Sequence, residues 1–137
     1  MDNCIFCKIV KGELPSAKIY ENEDVVALLD ISQVTKGHTL IIPKQHVRNL
    51  YDLTPELSAK IYAVVPVVAR MLQKAFKPLG INLLNNNEAF AGQTVFHYHV
   101  HLIPRYDKED GFGMKWQPKK DANLAEIATI IREENQS

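Results

Sequence analysis

The sequence predicts an α+β fold, in which a five-stranded antiparallel sheet and two helices form one domain over residues 1–137. Several short runs alternate apolar and polar residues, which is typical of strands, whereas one long segment has apolar residues at helical spacing. The first three strands lie close together in the sequence, which favours antiparallel neighbours. The five predicted strands cover residues 17–21, 24–31, 38–43, 80–85 and 96–105.

The clearest helix lies between the third and fourth strands. Thr54 can cap its start, with Pro55 in the first helical position. Pro66 removes a backbone donor, so we expect it to interrupt or kink the helix. A second helix is predicted over residues 123–133, and residues 86–94 and 106–119 are predicted loops. The stripe that predicts core packing consists of Leu57, Ile61, Val64, Val65, Val68 and Leu72.

Composition excludes several classes of protein. Sixteen basic and sixteen acidic residues cancel, and no basic run marks a surface for extended nucleic acid. The first residues lack the pattern of a signal peptide, and no apolar run approaches the length of a membrane span. We therefore expect a cytoplasmic protein without a membrane partner.

Three of the five histidines, His97, His99 and His101, alternate with apolar residues. On a strand, this spacing places all three imidazoles on one face. Imidazole can act as a nucleophile, base or acid near neutral pH. One interpretation is a metal chelate completed by ligands from elsewhere. The other is metal-free catalysis in which the central histidine attacks the substrate. A polar strand face without function is the third alternative.

The two cysteines form a Cys-x-x-Cys motif at Cys4 and Cys7. In a reducing compartment this spacing indicates metal or redox chemistry more than a structural disulfide. Only three residues precede Cys4, which leaves no room for the strand of a thioredoxin-type motif. Zinc is therefore favoured, although the motif supplies only half of a four-ligand site. Burial of both thiols as ordinary core residues is the alternative.

The segment GQTVFHYHVHLIP resembles the signature of the histidine triad (HIT) family of nucleotide-binding proteins. The segments CIFCKIVKGELPSAKIYENEDVVALLDISQVTKGHTLIIPKQH and INLLNNNEAFAGQ are similar to the rest of the family's domain. The resemblance thus covers nearly the whole chain, and it is strongest to bacterial members that combine Cys-x-x-Cys with the triad. It implies the HIT-like fold.

The resemblance also implies catalytic roles. His99 would be the nucleophile that takes up a nucleoside monophosphate as a phosphoramidate. His101 would contact the phosphate and donate a proton or hydrogen bond to the leaving group. His38, at the start of the third strand, would orient His101. Asp30 would accept hydrogen bonds from the ribose hydroxyls, although from the sequence alone it reads as a turn-forming residue.

The remaining nucleotide contacts implied by the resemblance are neutral. Because no lysine or arginine falls in this set, protonated imidazole and oriented amides would have to balance the phosphate charge. The implied phosphate contacts are Asn86, Gln93 and Thr94, and the implied apolar slot for the base consists of Phe6, Ile9, Leu28 and Ile31.

Zinc needs two ligands besides Cys4 and Cys7. His46 has no other assigned role, and His97 is the triad member least needed for direct attack. We therefore expect a closed Cys2His2 zinc site with a structural role, because it leaves no position for substrate. Whether His97 binds zinc or serves catalysis stays open at this point.

The expected function is hydrolysis at the α-phosphorus of nucleoside phosphoramidates or related nucleotides. A covalent nucleotidyl-histidine would form, and a nucleoside monophosphate such as AMP would be released. The alternatives are a non-catalytic nucleotide-sensing or scaffold protein, a dinucleoside polyphosphate hydrolase, and a zinc enzyme that uses the triad as ligands. The resemblance also implies a homodimer in which the fourth strands pair to give a ten-stranded sheet.

Overall fold

A five-stranded antiparallel sheet forms the centre of the computed structural model, which describes residues 3–136. The α+β fold class is thereby confirmed. The boundaries of the predicted domain fall on residues outside this range, so the extent 1–137 stays a prediction. The strands are β1 (Lys18–Glu21), β2 (Val25–Leu29), β3 (Thr39–Pro43), β4 (Gly80–Leu84) and β5 (Val100–Arg105), in the spatial order β1-β2-β3-β5-β4.

Three α-helices are present in the described part of the chain, whereas the sequence predicted two. They are α1 (Ile5–Val10), α2 (Pro55–Phe76) and α3 (Leu124–Gln136). The unpredicted helix, α1, has only six residues, too few to reveal a helical period. The Cys4 sulfur caps it by accepting a hydrogen bond from the backbone N–H of Cys7 at 3.3 Å. Helices this short are unstable alone, so packing against the sheet maintains α1.

The long helix α2 has the predicted start, since the Thr54 hydroxyl accepts from the backbone N–H of Leu57 at 3.1 Å. The helix continues through Pro66 over 22 residues to Phe76, and the kink expected at Pro66 stays a prediction. Pro66 lies on the exposed side, while apolar residues before and after it pack on the sheet. The buried residues of the helix are Leu57, Ile61, Val64, Val68 and Leu72.

Apolar side chains cover both faces of the sheet. Val25 and Ala27 of β2 point towards α2, whereas Val26 and Leu28 point towards α1, as strand periodicity requires. The second face is covered only in part, because α1 is short. A cavity beside α1 therefore remains open to solvent, and the candidate site lies there.

The last strand begins later than predicted. We expected a strand over residues 96–105, but β5 starts at Val100, and the pairing with β3 ends where Ile41 faces Val100. Pro43 ends β3 and has no backbone N–H to donate further along the ladder. Instead, the Tyr98 backbone N–H donates to the carbonyl of Val47 at 2.7 Å. His97 thus lies in a bend, and His99 lies in the irregular segment that leads into β5.

Apolar residues are exposed on β4 and α3 as well as in several loops. The edge strand β4 presents Ile81 and Leu83 to solvent, and α3 has no buried residue. None of the described helices is long and apolar enough to cross a membrane. The exposed apolar residues of α3 are Leu124, Ile127, Ile130 and Ile131.

Candidate active site and metal centre

A cavity of about 520 Å³ opens between α1, β2 and the start of β5. All four residues of the predicted base slot line it, and so do Asp30, Thr94, His99 and His101. Ile31 is 98% exposed and therefore stands at the rim. The sequence did not predict the other lining residues, which are Ile5, Leu14, Pro15, Leu29, Ser32, Leu40 and Val95.

His99 is buried, and its surroundings determine where it carries its proton. Its Nδ1 lies 2.8 Å from the backbone carbonyl of His97. Because a carbonyl can only accept, the proton is on Nδ1 and Nε2 has a free lone pair. Burial lowers the pKa of His99 below its usual range. Asn85 fixes the backbone by donating from Nδ2 to the His99 carbonyl at 2.9 Å. His99 is thus a neutral imidazole with an unprotonated nitrogen.

His38 and His101 form a second hydrogen-bonded unit. The backbone N–H of Val34 donates to His38 Nδ1 at 3.3 Å, so His38 carries its proton on Nε2. That N–H donates to His101 Nδ1 at 2.9 Å. The proton of His101 is therefore on Nε2, where it can be donated to a ligand. Burial, and then the neighbouring His99 and His38, lower the pKa of His101 to about 4.

The side chain of Asp30 both stabilises a turn and lines the cavity. Its Oδ1 accepts from the backbone N–H of Ser32 at 2.8 Å, which stabilises the turn after β2. Its Oδ2 lies 3.6 Å from His38 Nε2, and the side chain lines the cavity. One carboxylate oxygen thus fixes the local backbone while the other is near the histidine pair.

The side chain of Gln93 does not line the cavity, contrary to its expected role as a phosphate contact. It is only 3% exposed. Its Nε2 donates to the carbonyls of Arg48 and Val95, and its Oε1 accepts from the Glu88 backbone N–H and from Asn49 Nδ2. These four bonds use the full capacity of the amide. Gln93 therefore holds the loop before the triad in place.

The other two expected phosphate contacts differ in position. Thr94 is exposed and lines the cavity. Asn86 lies outside the lining, and its Nδ2 is 3.4 Å from the carbonyl of Gly92. Of the three expected phosphate contacts, only Thr94 thus lines the cavity.

The charge of the cavity differs from expectation in one respect. Its described lining contains no lysine or arginine, as expected. However, burial keeps the pKa values of His99 and His101 low, so these imidazoles are neutral near pH 7 in the ligand-free protein. His101 therefore offers the cavity the N–H of a neutral imidazole rather than a positive charge.

Cys4, Cys7, His46 and His97 form a compact cluster whose potential ligand atoms lie within 4.8 Å of one another. His97 Nδ1 is 3.4 and 3.5 Å from the two sulfurs and 3.1 Å from His46 Nδ1, and Cys7 Sγ is 3.3 Å from His46 Nδ1. In a tetrahedral zinc site, bond lengths of about 2.0–2.3 Å place ligand atoms about 3.3–3.8 Å apart. The four residues therefore fit zinc.

The protonation states in this cluster also suit a metal. His97 Nε2 lies 2.8 Å from the Pro43 carbonyl, so the proton is on Nε2 and Nδ1 offers its lone pair to the cluster. Burial lowers the pKa of His97 to about 4. Burial, followed by the hydrogen bond with Cys4, raises the pKa of the Cys7 thiol. A thiolate here consequently needs a cation to stabilise it.

The triad is divided between these two sites. His97 points to the cysteines, whereas His99 and His101 line the cavity. A second group, Asp30, His38 and His101, also brings potential ligand atoms within 4.8 Å. There, however, the Val34 N–H keeps the proton of His38 on Nε2, the nitrogen that would have to bind the metal. This arrangement disfavours the interpretation of the triad as a catalytic metal chelate.

Fold and site together define the class of this protein: a small α+β domain in which alternating histidines lie between a cavity and a Cys/His cluster. The HIT domain model matches residues 11–108, and the chain belongs to the HIT family. The match does not include α1, so it contains neither cysteine.

Similar proteins come from bacteria and fungi. Protein hit of Bacillus subtilis is 58% identical over 120 residues, which cover 88% of this chain and 83% of that protein. An adenosine 5'-monophosphoramidase of Schizosaccharomyces pombe is 43% identical over 131 residues, or 96% of this chain and 95% of that protein.

Solved structures are also similar to this chain. A HIT family protein from Bacillus anthracis superposes with a TM-score of 0.92 at 53% identity, covering 97% of both chains. A zinc-bound histidine triad family protein from Mycobacterium smegmatis has a TM-score of 0.75 at 34% identity and covers 99% of both chains.

Sequence reasoning missed the residues that hold the histidines in place. Asn85 gave a partial signal, because it stands in a run of three asparagines after the fourth strand. The Val34 amide and the Pro43 carbonyl gave none, since backbone groups are present at every position. Glu88 and Asn49, which fix Gln93, are 39 residues apart, and only the fold brings them together.

The hydrogen bonds predict a specific set of tautomers. At pH 7.5, His99 is expected as the Nδ1–H form, and His38 and His101 as Nε2–H forms. On acidification, His99 and His101 should stay neutral below the usual imidazole midpoint of about 6.5, His101 to about 4, because burial disfavours the charged form. Long-range ¹H–¹⁵N NMR spectra recorded from pH 8 to 4 test this. Midpoints near 6.5 for both rings would contradict it.

Proposed function

We propose that this protein hydrolyses nucleoside phosphoramidates or related nucleotides at the α-phosphorus, through a covalent intermediate on His99. The observation that carries the proposal is the free Nε2 lone pair of a buried, neutral His99 in the lining of the cavity. The monophosphoramidase name of the Schizosaccharomyces pombe relative supports the same chemistry.

The cavity suggests how the nucleotide is held. Apolar side chains of α1 and β2 form a slot suited to a base, with Phe6 and Leu28 on its walls. Asp30 offers a carboxylate to the ribose hydroxyls. The α-phosphate would then lie against His99, His101 and Thr94. Because such an apolar slot distinguishes bases weakly, adenine preference is not part of the proposal.

Two steps complete the reaction. His99 Nε2 attacks phosphorus and the phosphorus–nitrogen bond to the leaving amine breaks. His101 takes up a proton as the anionic phosphate binds beside it, passes that proton from Nε2 to the leaving nitrogen, and regains one from the water that attacks in the second step. Water then attacks phosphorus and displaces His99, which returns as neutral imidazole. Overall, one water supplies the oxygen of the nucleoside monophosphate and a proton of the amine. A dinucleoside polyphosphate could enter the same steps with a nucleotide as its leaving group.

The covalent step makes a direct prediction. With adenosine 5'-phosphoramidate, His99→Ala should lose about 10⁴-fold or more in kcat, because no other group can form the intermediate. A mild alkaline quench of the unmodified protein should trap AMP on the peptide that contains His99, as read by mass spectrometry. Tyr51→Ala, which changes an exposed residue outside the cavity, is the control. Normal turnover by His99→Ala would refute the mechanism, and AMP binding without turnover by the unmodified protein would favour a nucleotide sensor.

We further propose that Cys4, Cys7, His46 and His97 bind one structural zinc ion per chain. The expected result is one zinc per chain by elemental analysis of protein purified without chelators, and a clear loss of metal in Cys4→Ser. His38→Ala is the matched control, because His38 belongs to the other histidine group, and it should retain the zinc. Zinc lost from His38→Ala but retained by Cys4→Ser would assign the metal to the group of Asp30, His38 and His101, and would refute the proposed zinc site.

We also propose a homodimer in which two β4 strands pair across a two-fold axis to form a ten-stranded sheet. In the single chain β4 is an edge strand with exposed apolar residues, an arrangement that favours pairing. Light scattering should give twice the chain mass, and Leu83→Lys should shift the protein towards monomer. Leu50→Lys is the control, because both leucines are 51% exposed but Leu50 lies away from β4. A monomer at micromolar concentration would refute this.

A further inference from the structure

The helix α1 contributes to both sites at once. Cys4 and Cys7, at its cap and in its first turn, belong to the metal cluster. Phe6 and Ile9, on the same short helix, line the nucleotide cavity. We propose that Phe6 is a positioning residue that couples the metal centre to His99, so that metal occupancy controls nucleotide affinity and the rate of the chemical step. This inference rests on the proposed function.

Phe6 packs between the metal cluster and His99. Its ring centre lies 5.8 Å from that of His97 and 5.1 Å from that of His99, nearly perpendicular to both. Edge-to-face packing of this kind favours one ring orientation. The backbone of Phe6 is flanked by two metal ligands, since only Ile5 separates it from Cys4 and Cys7 follows directly. A shift of the cysteines must therefore move the Phe6 ring against His99.

His97 provides a parallel connection. Its Nδ1 faces the two sulfurs, its Nε2–H donates to the Pro43 carbonyl, and its own carbonyl accepts the Nδ1–H of His99. The hydrogen bond that keeps the proton of His99 away from Nε2 thus comes from a metal ligand. His99 is held by the backbone of His97 and by the ring of Phe6, and both depend on the cluster.

Because α1 is short, its position depends on the metal cluster. A helix of six residues is not maintained by its own hydrogen bonds. Apart from the cluster, α1 is attached mainly by Phe6 and Ile9, which pack on Val26, Leu28 and Leu40. Without metal, only weak hydrogen bonds between thiol and imidazole connect the Cys4 and Cys7 sulfurs to His46 and His97. The wall of the cavity that α1 forms then loses its fixed position.

The first experiment removes the metal and measures binding rather than turnover. Cys4 and His46 line an open cleft of about 390 Å³, so a chelator can reach the cluster. After chelation, we expect at least about fivefold weaker AMP binding by calorimetry and faster amide hydrogen exchange in α1. Zinc alone should restore both, and circular dichroism checks that the sheet persists. Unchanged AMP affinity together with unchanged exchange in α1 would overturn the proposal.

The second experiment retains the metal, so it tests the role of Phe6 even if the metal-free protein unfolds. Phe6→Leu preserves an apolar wall but removes the aromatic ring. If Phe6 positions His99, the single-turnover rate of adenylylation at saturating phosphoramidate should fall about 3- to 10-fold, the range expected for an aromatic contact. The Kd of AMP should change less than twofold. A purely apolar wall would give the opposite result, a weaker Kd with an unchanged saturated rate, and would overturn the proposal.

Val10→Ala is the matched control for loss of packing. Val10 ends α1 and packs on the same apolar cluster, but it does not line the cavity. Its saturated rate should equal that of the unmodified protein, and an equal fall in Val10→Ala would overturn the specific role of Phe6. The proposed function fails separately, if the unmodified zinc-loaded protein neither binds AMP nor becomes adenylylated.

Discussion

The hydrogen bond from His99 Nδ1 to the carbonyl of His97 is the constraint on which the site depends. It is one of three bonds in which a backbone group decides which nitrogen of an imidazole is protonated. The Val34 amide does so for His38, and the Pro43 carbonyl does so for His97. Neutral histidine exists in two tautomers of similar energy, so such partners are needed to give each ring one role. The fold thereby gives three chemically identical side chains different properties: a free lone pair on Nε2 of His99, an N–H donor on His38 and a potential metal ligand in His97.

Burial acts together with these bonds. A buried imidazole resists protonation, which keeps the lone pair of His99 available and gives His97 the neutral form that a metal requires. The same burial raises the pKa of the Cys7 thiol, so the cluster without a cation would hold neutral groups. The two sites therefore need the same low-polarity surroundings for different reasons, and Phe6 supplies part of them to both.

Much of the fold and part of the candidate site could be predicted from the sequence, but only where a pattern is local. Strand alternation in β2 and the apolar stripe of α2 repeat often enough to be recognised, and the triad spacing identified the histidine segment. The helix α1 is too short to show a period, and the start of β5 depends on Pro43, more than fifty residues earlier in the chain. The orientation of Gln93 depends on Asn49 and on the Arg48 carbonyl, both more than forty residues earlier in the chain. Predictions thus failed where a distant residue, rather than the local pattern, determines the geometry.

The absence of lysine and arginine from the described cavity lining affects the kinetics of ligand capture. Long-range attraction between a cationic cleft and an anion accelerates encounter, and salt weakens that attraction. Here the chain has no net charge, the imidazoles of the cavity are neutral, and the Asp30 carboxylate also lines the cavity. Under the proposed function, a phosphate-bearing ligand would therefore reach the cavity without electrostatic attraction from its lining, and salt would not slow its capture. Selection among anions would then take place after arrival, through the shape of the apolar slot and the directions of a few N–H groups.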